Sequence, residues 1–249
     1  MPDVQPSRSC SITPPEVKAI EEKGVIIGFA LEQNFFSEGW PAPCNYNYLQ
    51  RYEFYTDGRF RIAVGSLGRG CGNDGTYRPV TRIAFAPNFN NFYEWQSNDW
   101  KHWTTEQWQS QNIQTKYTTE GYQYKITSPN QNGFYMVANN GQFDDNGRGD
   151  AAYTYVTKHL ADKDEGDSDL VTIGPCCNTD YQQGPEKFIE PQPDPIENSP
   201  LVLWYVPQLK NDDTPGKEYC WAQSYVENGI TKVKTFPCMS GTMFVPFKP

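Results

Sequence analysis

From Asn45 to Phe54 the side chains alternate, with Tyr46, Tyr48, Gln50, Tyr52 and Phe54 falling on one side of an extended chain. Successive residues of a strand point to opposite faces, so a period of two excludes a helix here. Thr56-Asp57-Gly58 then supplies a hairpin turn, and Phe60, Ile62 and Val64 resume the alternation on a return strand. Further strands are predicted at 25–31, 81–86, 121–127, 133–138, 151–158, 201–206, 220–226, 230–236 and 242–246, joined by segments rich in Asn, Gly and Pro. Short strands at this spacing predict an all-β chain folded as a large antiparallel β-sandwich. One helix is expected. Thr13-Pro14-Pro15-Glu16 reads as a capping box with proline in the first turn, and Val17 and Ile20 would form its apolar face up to Glu22. The predicted organisation is therefore a tail and short helix over residues 1–23 and one β-sandwich domain over 24–249. The acidic proline stretch from Glu190 to Glu197 reads as a surface loop rather than a boundary.

Composition tests that reading. Leu, Ile, Val and Phe number only 47 of the 249 residues, which in a charged chain points to disorder. Seven Trp, 16 Tyr and 14 Phe point the other way, because large rings build a core where aliphatics are scarce. The formal net charge of −9 disfavours a general nucleic-acid binder, which needs a basic face. The longest apolar run, Gly24 to Leu31, is far shorter than the roughly 20 residues of a spanning helix, so no membrane partner is expected. The first twenty residues show no basic start followed by an apolar stretch, and so no secretory leader.

Seven cysteines occur without a C-x-x-C pair, which argues against a zinc ribbon. Cys220 and Cys238 flank a hairpin whose turn signal is Asn228-Gly229, and a cross-strand disulfide is expected between them. Cys44 and Cys71 flank another hairpin and form a second candidate pair, while Cys10 could reach the Cys176-Cys177 doublet. Seven reduced thiols in the interior is the alternative. Disulfides would place the chain in an extracellular setting.

The hairpin from Cys44 to Phe60 resembles the cofactor strand of the copper amine oxidases, whose motif is Asn-Tyr-Asp/Glu-Tyr followed by an aromatic-rich strand and an Asp-Gly turn. Three more segments resemble that family in the same order: Tyr77-Arg78-Pro79-Val80, Tyr124 to Asn130 with Gly133-Phe134-Tyr135, and Pro195 to Tyr205. Together they span residues 25–249. The resemblance implies a homodimeric sandwich of twisted antiparallel sheets. It also implies that Tyr46 stands where the family oxidises a tyrosine to topaquinone with the help of copper.

The same resemblance fails at the metal. Three imidazoles hold copper in that family, and this chain has two histidines, His102 and His159. Thr81-Arg82-Ile83 stands in place of the His-x-His segment, and Val206 to Asp213 follows Trp204-Tyr205 without an imidazole. Neutral imidazoles suit copper, whereas a threonine hydroxyl or a cationic side chain does not. With 45 residues before Tyr46, no candidate for the family's upstream catalytic Asp can be named. No resident cofactor is expected, and Tyr46 reads as one aromatic among several on its strand.

One cluster suggests ligand binding. Trp95, Trp100, His102 and Trp103 crowd into nine residues, with Trp108 close behind, and indole faces stack on sugars. A core patch or a dimer contact is the alternative. His159, beside Lys158, reads as a surface residue. Asp144 to Asp150 and Asp162 to Asp169 carry enough carboxylates to attract calcium, although Arg148 occupies a position where a ligand is wanted. The functional expectation is a non-catalytic amine-oxidase-like β-sandwich acting by ligand binding or self-assembly, with itself, a small molecule or a glycan as partner. The alternatives are a copper- and quinone-dependent oxidoreductase of primary amines, and an enzyme of another class using a cavity near Tyr46, Tyr48 and Tyr52.

Overall fold

A computed structural model describes residues 13–42, 44–68, 72–73, 75–112, 114–137, 151–160 and 192–248. All regular structure among them is β, in antiparallel sheets. They divide into two compact units.

The first unit takes the described residues up to 79 and those of 207–243. Its main sheet runs β1 (Glu16–Glu22), β2 (Val25–Phe36), β3 (Asn47–Tyr55) and β4 (Phe60–Ser66) in spatial order, with β17 (Cys238–Ser240) also pairing β4. The expected N-terminal helix is thus corrected: Glu16 to Glu22 is a strand paired with β2. Lys23 and Gly24 both have positive φ, 49° and 79°, as a two-residue hairpin of right-handed twist requires. That turn, with a free edge of β2 to pair with, overrides the capping signal. The carboxylates and lysine of β1 suit its place at the sheet edge, where charge discourages further pairing.

Alternation in β3 holds, but its buried face is not the aromatic one. Asn47, Leu49 and Glu53 are buried, while Phe54 on the other face is 43% exposed. The buried face is satisfied by charge pairing. Arg51 bonds both Glu32 and Glu53, the latter at 2.6 Å, and Tyr55 donates its hydroxyl to Glu53 at 2.9 Å. Arg61 adds a contact to Glu53 at 3.4 Å, and Lys18 closes the chain on Glu32. Such partners offset the cost of burying an ionised carboxylate.

Two smaller pairs complete this unit: β5 (Thr76–Tyr77) with β14 (Leu209–Lys210), and β15 (Trp221–Glu227) with β16 (Ile230–Phe236). Asn228 and Gly229 have φ of 53° and 76° and form the turn their sequence predicts. Cys220 and Cys238 are disulfide-bonded, with Cα atoms 4.7 Å apart, and pack with Leu209 and Tyr219 in a small core. Cys44 carries an exposed free thiol; Cys71, Cys10, Cys176 and Cys177 lie outside the described residues.

The second unit takes described residues of 80–137, 151–160, 192–206 and 244–248. One sheet orders β6 (Thr81–Ala84), β13 (Leu201–Val206), β12 (Tyr153–Lys158) and β9 (Gln107–Ser110). The other orders β18 (Met243–Phe247), β11 (Gly133–Val137), β10 (Tyr124–Thr127), β7 (Asn91–Gln96) and β8 (Asp99–Trp103). Phe92, Tyr124, Ile126, Met136 and Phe244 are completely buried, as are Val156, Leu201 and Leu203, so a ring-rich core replaces the missing aliphatics.

Candidate functional site: an aromatic groove in the second unit

β7 and β8 form a hairpin through Ser97 and Asn98, both at positive φ. Its register sets Tyr93 opposite His102 and Trp95 opposite Trp100. Neighbouring strands extend the first of these pairs, because Lys125 faces Tyr93 on β10 and Tyr135 faces Lys125 on β11. Residues paired in this way share one face of the sheet. The sheet therefore presents His102, Tyr93, Lys125 and Tyr135 in a row across four strands, with Trp100 and Trp95 in the row beside it. None of these six is fully buried. Three inter-strand steps make this row roughly 14 Å long, at about 4.8 Å per step.

The rings brace one another. Tyr93 stacks on His102 with centroids 4.7 Å apart, and Trp95 meets Trp100 edge-on at 5.2 Å. Phe247, Tyr135 and Tyr122 form a column, with centroid separations of 4.2 Å and 4.4 Å, and Trp100 flanks it at 5.8 Å. The Lys125 ammonium lies 4.8 Å from the centroids of both Tyr93 and Trp100. Burial lowers its pKa, against the opposing pull of Asp99. Burial likewise raises the Tyr135 hydroxyl.

Between the tryptophan pair and the tyrosine column lies a groove of about 410 Å³, lined by Trp95, Trp100, Thr118, Thr119, Glu120, Tyr122 and Tyr135. Its polar wall is a tight loop. The Gly121 N–H donates to the Thr118 carbonyl at 3.0 Å, the Thr118 N–H to the Tyr122 carbonyl at 2.9 Å, and the Tyr122 N–H to Thr118 Oγ1 at 3.1 Å. Gly121 has φ of 88°, which a residue with a Cβ adopts only under strain. The hydroxyls of Thr118 and Thr119 and nearby backbone hold the Glu120 carboxyl below its ordinary pKa.

Trp95 and Trp100 from the sequence-based set thus line the groove, and His102 shares their face. His102 Nδ1 stands 3.7 Å from a Glu197 carboxylate oxygen, and its Nε2 is buried without a hydrogen-bond partner. Trp103 does not join them. One residue further along β8, it points into the core, 4% exposed, against Phe92 and Tyr124. Trp108 stands on β9 of the other sheet, against Tyr153. Tyr122, Tyr135 and Glu120 come from elsewhere in the chain: the strands expected at 121–127 and 133–138 contain the two tyrosines, and no sequence motif singles out Glu120.

Tyr46 belongs to the first unit. Its ring stacks on Tyr48 at 5.5 Å and meets the edge of Tyr77 at 6.4 Å. Tyr48 is held firmly un-ionised by burial and by the two neighbouring phenols. The residues standing where the resemblance would put copper ligands do not fit the metal. Arg82 carries its cation 5.5 Å over the Trp204 ring, and Thr81 is buried opposite Tyr205. The carboxylate loops at 144–150 and 162–169 lie outside the described residues. Among the described residues no three His, Cys, Asp or Glu gather in a metal-binding group, and no helix is long and apolar enough to cross a membrane. No protein-family model matches the chain, and a search of the curated proteins finds no match.

Proposed function

We propose that this is a non-catalytic binding protein that holds glycans in the aromatic groove of its second unit. In this reading the two units carry an amine-oxidase-like β-sandwich that has exchanged redox chemistry for recognition, and the protein works outside the cell. The observation that carries it is the grouping of Trp95, Trp100, Tyr122 and Tyr135 around one groove whose remaining wall offers a carboxylate and two threonine hydroxyls. Rings take the apolar faces of a sugar, while a few fixed polar groups read its hydroxyls. The row from His102 to Tyr135 adds length, which suits an oligomer better than a single sugar. The Cys220–Cys238 disulfide supports an oxidising compartment.

Titration with neutral oligosaccharides, followed by tryptophan fluorescence and calorimetry, tests the reading. Affinity should rise with chain length. Trp100→Ala should weaken binding about tenfold, or about 1.4 kcal/mol. A ligand whose affinity ignores both Trp95→Ala and Trp100→Ala would place binding elsewhere and end the proposal.

Self-association is the second reading. Val17, Phe29 and Phe54 are 73%, 50% and 43% exposed on one face of the first unit's sheet, with Phe29 and Phe54 stacked at 5.3 Å. Sedimentation over a wide concentration range decides it: a dimer that Phe29→Glu dissociates supports it, and a monomer throughout removes it.

A further inference from the structure

We propose that Glu120 sets the ligand class of the aromatic groove, admitting uncharged, hydroxyl-rich glycans and turning away those that carry uronate or sulfate groups. The inference rests on the reading of the groove as a glycan site. Glu120 is the sole charged residue of the groove lining. An ionised carboxylate only accepts hydrogen bonds and has about four lone-pair positions. Glu120 stands exposed in the lining beside Thr118 and Thr119, so its oxygens are open to incoming donors. A sugar hydroxyl can donate there, whereas a uronate or sulfate has no proton to give and brings a like charge.

The surroundings sharpen that selection. The other six lining residues are uncharged, so the groove offers an incoming anion no counter-charge. Lys125, a cation on the same sheet face, does not line the groove. Its ammonium sits over Tyr93 and Trp100 and is drawn to Asp99, which also pairs with Lys101 at 2.8 Å. The hydrogen bonds that close the loop on Thr118 hold the backbone that carries Glu120. The net charge of −9 adds a long-range field of the same sign.

The test is an immobilised panel of neutral chains (cello-, xylo-, manno- and chito-oligosaccharides) and acidic ones (oligogalacturonates and sulfated galactans). The whole chain, Glu120→Gln, Glu120→Lys and Trp100→Ala are each applied. The unaltered protein should retain at least one neutral chain and no acidic one. Glu120→Gln should weaken neutral binding several-fold, because an amide oxygen accepts less strongly than a carboxylate, and should loosen the exclusion of acidic chains. Glu120→Lys should gain acidic chains by roughly tenfold or more. Equal or better binding of an acidic chain by the unaltered protein, abolished by Trp100→Ala, would overturn the inference and leave the groove reading standing. Unchanged acidic binding in Glu120→Lys would do the same. Failure of the unaltered protein to retain any chain would overturn the groove reading, and this inference with it. Glu120 is a surface side chain, and matching melting curves for the variants would confirm that each is folded.

Discussion

Glu94 and Glu53 show how differently two buried carboxylates can be treated. Glu53, 3% exposed, is met by Arg51 and Arg61 and by the Tyr55 hydroxyl. Glu94, 5% exposed, has only neutral donors, Gln96 Nε2 at 2.7 Å and Trp103 Nε1 at 3.3 Å. Burial raises the Glu94 pKa, and those two hydrogen bonds offset only part of the rise. An acid whose folded pKa exceeds its unfolded one makes a favourable contribution in acid. That contribution is complete below the unfolded value and is lost as pH rises through the folded one. Glu94→Gln keeps an acceptor for both donors and removes the charge. The variant should melt higher than the parent at pH 8, and the difference should shrink towards pH 4. Thermal unfolding across that range measures it, and a constant difference would contradict the assignment.

At the scale of the element, two-residue turns set the registers. The Lys23-Gly24 turn fixes Glu22 opposite Val25, and from there a bulge between Ile20 and Glu21 adjusts the pairing of β1 with β2. A Cβ at Gly24 would meet no atom within 4 Å, so only the backbone conformation opposes a larger residue there. Gly24→Ala should cost about 1 kcal/mol, read by denaturant unfolding. An unchanged midpoint would show that the turn relaxes at no cost. The same physics explains what the sequence concealed. Alternation and Asp-Gly or Asn-Gly turns made the hairpins at Asp57-Gly58 and Asn228-Gly229 legible. The Ser97-Asn98 turn carries no glycine, so the cluster from Trp95 to Trp103 read as a set of rings without the hairpin that sorts them. Alternation within β8 then sends Trp100 and His102 to one face and Trp103 to the other. At the N-terminus, capping residues suggested a helix because the partner strand that outcompetes it lies beyond the local sequence window.

For the whole molecule, the ring-rich composition proved the sound guide to order, since Phe92, Tyr124 and Phe244 are completely buried. The groove was only half legible: the tryptophans announce themselves by density, whereas Tyr122, Tyr135 and Glu120 are assembled by strand pairing and a loop. The disulfide was read correctly because its cysteines flank a single hairpin. It closes a loop with a sequence separation of 18, for which chain entropy predicts about 3 kcal/mol of stabilisation. Replacing both Cys220 and Cys238 by Ala should lower stability by about that amount, measured by chemical denaturation. A loss below about 1 kcal/mol would mean that the reduced hairpin is already constrained in the unfolded chain.

The perpendicular contact between Trp95 and Trp100 also gives the protein a built-in optical gauge. Two indoles at 5.2 Å and 66° share their excitation, and a coupled pair of this kind rotates polarised light in a way that isolated indoles do not. Because these rings wall the groove, circular dichroism in the aromatic and indole bands would register a guest, or the opening of the hairpin, without any attached label.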